Sequence, residues 1–88
     1  MVTADDVAKW MVEQIHEKRF LHQEEVVYKI KQKFGESFTY VRPNGNLAIS
    51  RIVLRAFKRV SGKSVVWERG ERMWRARTDH DGRSRQQD

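Results

Sequence analysis

The chain has 88 residues, 39% of them hydrophobic and 34% charged, with a formal charge of +6 and no cysteine. That length allows one small domain, and the lack of cysteine excludes a disulfide scaffold, a zinc finger and a thiol nucleophile. No apolar run approaches the roughly 18 residues of a membrane span, and the acidic start Met1-Val2-Thr3-Ala4-Asp5-Asp6 is not that of a signal peptide, so a cytoplasmic protein without a membrane partner is expected.

Thr3 opens the first predicted helix, over residues 4–18. Its hydroxyl suits an N-cap, Asp6 stands three residues later, and Asp5 adds negative charge to the first turn, where it suits the helix dipole. Val7, Trp10, Met11 and Ile15 recur at helical spacing and read as core. Phe20-Leu21-His22-Gln23 is a short apolar break, at most a strand stub. A second helix follows over residues 23–34, with Val27, Ile30 and Phe34 on one face. Glu24 and Glu25 at its start and Lys29, Lys31 and Lys33 towards its end complement the dipole, so these lysines need no functional explanation. Gly35 suits a left-handed helix end.

Phe38-Thr39-Tyr40-Val41 has strand character, Pro43-Asn44-Gly45-Asn46 is a turn, and Leu47-Ala48-Ile49 is an apolar return, so a small hairpin is expected here. Ser50 reads as the N-cap of a third helix over residues 51–61, ended by Ser61-Gly62. Its apolar positions Ile49, Val53, Ala56, Phe57 and Val60 are widened by Ile52 and Leu54. Its basic positions Arg51, Arg55, Lys58 and Arg59 fall at i, i+4, i+7 and i+8, and no acid lies between Ser37 and Trp67. Like charges on one helix face repel by a few tenths of a kcal/mol per pair, roughly, and a bound anion relieves that repulsion.

Val65-Val66-Trp67-Glu68 and Met73-Trp74-Arg75-Ala76-Arg77 read as two strands around Arg69-Gly70, with the Trp-bearing face covering the helices and the other face presenting Arg75 and Arg77 to solvent. Residues 1–78 form the expected domain, and residues 79–88, which lack apolar periodicity, a disordered polar tail. The charge is uneven along this chain. Residues 1–40 hold six Lys/Arg against seven Asp/Glu, and residues 41–88 hold twelve against five. Most of the later cations are arginines, whose planar fork matches phosphate.

Two helices, a short β segment, a basic third helix and a terminal hairpin make an α+β order that resembles a winged helix-turn-helix domain, over roughly residues 4–77. In that fold one helix enters the major groove and the hairpin, or wing, touches the backbone or minor groove. The segments DDVAKWMVEQI, QEEVVYKIKQKFG, NGNLAI and VVWERGERMWR also resemble a family of short, uncharacterised bacterial winged-helix-like proteins, some carried on mobile gene cassettes. The resemblance implies the fold and a bacterial origin, and no activity. The stretch from Glu36 to Ile49 is long for the turn of such a domain, and a hairpin lying across the third helix would cover its basic face.

The resemblance implies that Arg51, Arg55, Lys58 and Arg59 contact phosphates or base edges, and that Arg69, Arg72, Arg75 and Arg77 add backbone contacts from the wing, with Lys63 as a further candidate. Tyr40 suits base stacking or packing equally, whereas Trp67 and Trp74 read first as core. Catalysis is not expected. His16, His22 and His80 are widely separated, the five glycines form no phosphate loop, and no serine sits in a nucleophile elbow. No cofactor, metal or small-molecule substrate is expected. The function expected is therefore binding of nucleic acid, with duplex DNA as the ligand. The alternative is a protein-interaction or homo-oligomeric module, in which Trp10, Met11, Val12 or Met73 would be exposed.

Overall fold

Helix α1 (Ala4–Lys18) starts on a closed capping box: the Asp6 N–H donates to the Thr3 hydroxyl and the Thr3 N–H donates to the Asp6 carboxylate at 2.9 Å. Hydrogen bonding from Thr3 to that carboxylate, from its backbone N–H foremost and then from its side chain, holds the Asp6 carboxyl below its ordinary value of 3.8. The helix ends at Arg19, whose φ of 77° turns the chain into strand β1 (Phe20–His22). The apolar break is thus a strand, and partners rather than periodicity make it one: Leu21 pairs with Trp74 in an antiparallel ladder. The computed structural model describes residues 1–77 and the backbone of residues 86–87.

Helix α2 (Gln23–Phe34) follows directly and closes at Gly35, whose φ of +95° is the positive value expected, with a ψ of 175° that lies outside the left-handed helical well. A 3-10 turn, Glu36–Phe38, leads into the hairpin of β2 (Thr39–Val41) and β3 (Leu47–Ile49). Gly45, at φ +88°, donates to the Arg42 carbonyl at 2.8 Å, and the Asn44 side chain accepts from the Asn46 N–H at 3.0 Å, so the turn residues act through their own hydrogen bonds.

Helix α3 (Arg51–Ser61) runs over its expected range. Ser50 holds the N-cap position and corrects the reading of it as a capping side chain. Its carbonyl accepts from Val53 and Leu54, whereas its buried Oγ has no hydrogen-bond partner among the described residues. Strands β4 (Val65–Glu68) and β5 (Met73–Ala76) form the terminal hairpin around a four-residue loop, Arg69 to Arg72. The first sheet has the order β1-β5-β4-β6, where β6 (Gln86–Gln87) runs parallel to β4. The expected disordered tail over 79–88 falls outside the described residues except at Gln86 and Gln87, where the backbone is paired strand.

One cluster of apolar side chains joins these elements. Val7, Met11 and Ile15 of α1 meet Val53 and Phe57 of α3, Val26 and Ile30 of α2, and Val65 and Trp74 of the sheet. Phe57 meets the edge of Trp74 at 5.1 Å, and Trp74 meets Trp67 at 4.8 Å. Each aromatic pair of this geometry contributes about 0.5–1.5 kcal/mol beyond its area. The molecule is thus α+β, with three helices and small, mainly antiparallel sheets. The β2–β3 hairpin packs on α2, and α3 packs mainly on α1.

Candidate nucleic-acid interface

The acid-free basic stretch becomes a surface because α3 is strongly two-sided. Val53, Ala56, Phe57 and Ser61 are buried on one side, and Arg51, Ile52, Arg55, Lys58 and Arg59 are exposed on the other. At 100° per residue the four cations span roughly a quarter of the helix circumference. Arg51, Arg55 and Lys58 have no carboxylate within 4.0 Å among the described residues. Arg59 differs: its guanidinium is paired with Asp5 in the first turn of α1, both groups being largely exposed. Ile52, Arg55 and Arg59 line an open groove against Thr3, Ala4 and Asp5. The hairpin packed on α2 leaves all four cations in solvent.

Ile52 was legible as a member of the apolar stripe, and the structure corrects that: it is 62% exposed among the arginines. The available signal was its spacing, since Ile52, Arg55 and Arg59 fall at i, i+3 and i+7 on one face.

The hairpin cations divide. Arg69 is exposed in the loop, with no carboxylate partner among the described residues. Arg72, in the same loop, has a φ of 52° and meets Glu24 of α2 at 3.6 Å. Arg75 does not stand free in solvent as expected. Its Nε donates to Glu68 Oε1 at 2.6 Å, and the two side chains are only 22% and 18% exposed. They are diagonal neighbours on one sheet face, since Val66 pairs with Arg75 and Glu68 with Met73. Arg77 is also committed: its Nε donates to the Lys63 carbonyl. Lys63 itself is exposed, but it lies before β4, at the opposite end of that strand from Arg69. The four residues of β4 alone span about 13 Å, so Lys63 extends the α3 end of the surface and not the hairpin tip.

Of the four apolar residues expected on an oligomer interface none is exposed, and Met73 is half-buried in β5. Met11 is fully buried, Trp10 meets Phe34 edge-on at 5.5 Å, and Val12 packs against the core. Among the described residues no group of three His, Cys, Asp or Glu side chains is arranged to hold a metal ion, and no helix is long and apolar enough to cross a membrane.

No curated protein and no solved structure matches the chain. A family model does, over residues 3–76, from the N-cap of α1 to the last residue of β5; its description is a family of unknown function, DUF6953.

Proposed function

We propose that this chain, which belongs to the DUF6953 family of unknown function, is a winged-helix module that binds duplex nucleic acid through the basic face of α3. The observation that carries the reading is the set Arg51, Arg55 and Lys58: exposed on one arc, in a helix without acids, and without a carboxylate partner among the described residues. Three unanswered cations at helical spacing repel one another, and a phosphate backbone relieves that repulsion while gaining charge-assisted hydrogen bonds. The winged-helix part of the reading draws support from the strand order, in which β1, between the first two helices, pairs with the second strand of the terminal hairpin. The β4–β5 loop then serves as the wing, with Arg69 at its tip. Arg75 and Arg77 hold the hairpin together and make no contact with the ligand.

Five cations remain for phosphate: Arg51, Arg55, Lys58, Lys63 and Arg69. At about −0.9 per neutralised phosphate, log affinity should fall with log salt at a slope near −4 to −5. Fluorescence anisotropy of a random duplex, titrated from low to moderate salt, measures that slope. No binding at micromolar protein in low salt removes the proposal.

A protein-interaction module is the second reading, favoured by the exposed Tyr40 and Val41 on β2, 45% and 66% accessible. Light scattering over a range of concentrations separates the homo-oligomeric form of it: a strict monomer counts against that form.

A further inference from the structure

The β2–β3 hairpin also builds something of its own. Packed on α2, it closes a cleft of about 230 Å³ against the start of that helix and the β4–β5 loop. Arg72 is locked at one side of it. Its carbonyl accepts the Gln23 N–H at 3.0 Å, and its guanidinium answers the charge of Glu24 at 3.6 Å. The carboxylate in the cleft is therefore already engaged.

Three further groups facing the cleft are not engaged. Arg42 is half-buried, and its side chain has no ion-pair partner among the described residues. The side-chain amide nitrogen of Asn46 makes no hydrogen bond there, although its backbone N–H and carbonyl are both used within the turn. Tyr28 leaves 63% of its surface open and has no aromatic partner among the described residues. An open aromatic face, a carboxamide with one donor and one acceptor end, and an uncommitted guanidinium correspond to the face of a base, its edge and the phosphate of one nucleotide. The face stacks a base, the amide bonds the base edge, and the guanidinium takes the phosphate. The cleft is smaller than the roughly 300–1,000 Å³ of a drug-sized site, so it suits one such unit and not a run of them.

We infer that this cleft takes a single unstacked nucleotide, at a strand end or a bulge, beside the duplex engaged by α3. The inference rests on the nucleic-acid reading above and adds to it a second site with its own chemistry. Inside a duplex both faces of a base are stacked and its Watson–Crick edge is paired, so the cleft distinguishes interrupted from continuous duplex.

Two measurements test it on the full chain. Amide NMR follows titration with nucleoside 5′-monophosphates and, separately, with inorganic phosphate. The monophosphates should move the Tyr28, Arg42 and Asn46 resonances and bind about tenfold or more tighter than phosphate; equal binding of phosphate, or no movement at these residues, overturns the inference. Anisotropy then compares a blunt duplex with the same duplex carrying a one-nucleotide overhang. The overhang should bind about tenfold tighter. Tyr28→Ala and Arg42→Ala should each abolish that preference with blunt-duplex affinity retained, and Tyr28→Phe should keep it. A preference that survives both alanine variants overturns the cleft. Blunt duplex that fails to bind, alongside monophosphates that do, removes the α3 reading and leaves the cleft standing.

Discussion

The arginines of α3 and those of the terminal hairpin are one residue type in two surroundings. On α3 each turn brings another cation and no acid, so Arg51 and Arg55 face solvent unanswered among the described residues. On the hairpin the pleat brings Glu68 beside Arg75, and the two neutralise each other at 2.6 Å. Formal charge counts Arg51, Arg55 and Arg75 equally, yet the charge of Arg75 is already answered. An arginine is available for binding when neither its own element nor a packed neighbour brings a carboxylate to it, as Asp5 of α1 does for Arg59.

Reversing the α3 charges is the strongest way to break that comparison. Arg51→Glu combined with Arg55→Glu should lower blunt-duplex affinity at least about 100-fold, or about 2.7 kcal/mol, with circular dichroism unchanged. An anisotropy titration showing less than a threefold loss would mean that α3 is not the interface. The hairpin should respond oppositely. Arg75→Ala leaves Glu68 half-buried without its partner and should lower stability by about 1–2 kcal/mol, between the values of exposed and fully buried pairs. In a domain of this size that is about 5–10 °C of melting temperature, with duplex affinity held within about twofold. An Arg75→Ala protein of normal stability and weakened affinity would place this residue with the α3 group instead.

The first turn of α1 sharpens the contrast, because its two adjacent acids have different work. Thr3→Ala opens the capping box and should cost about 1 kcal/mol in urea unfolding without a change in affinity. Asp5→Asn releases Arg59 and should raise duplex affinity about twofold, steepening the salt slope by about one; a flatter slope would show that Arg59 faces no phosphate. The smallest effect is in acid. Hydrogen bonds from Thr3 lower the Asp6 carboxyl below 3.8. A carboxyl lowered on folding contributes its stability above its unfolded pKa and loses it as pH falls through the folded value. The cap should therefore stay closed at neutral pH and loosen in strong acid. An NMR titration of Asp6 checks this, and Thr3→Ala should move its midpoint up towards 3.8.

All three helices were legible in the sequence because their ends are written in local chemistry. Thr3 and Asp6 close a box, Gly35 takes a positive φ, and Gly62 stops α3. Strand β1 was legible as no more than a stub, because three residues hold no periodicity and only Met73, Trp74 and Arg75 make them a strand. Arg75 was misread for the same reason: its neighbour is fixed by register, and register depends on the Arg69–Arg72 loop. Ile52 was misread because an apolar residue beside an apolar stripe looks like part of it. The cleft was not legible at all, since Tyr28, Arg42 and Arg72 come from three elements and meet only in the folded chain.

The contact of Phe57 with Trp74, and of Trp74 with Trp67, runs from the buried side of α3 into both strands of the hairpin. It acts as a strut. It ties the buried side of the helix to the hairpin strands through close-packed rings, so the two elements are joined as one packed body. Under the proposed reading, a groove of matching gauge meets helix and hairpin without adjustment, and ring packing that never touches the ligand takes part in that fit.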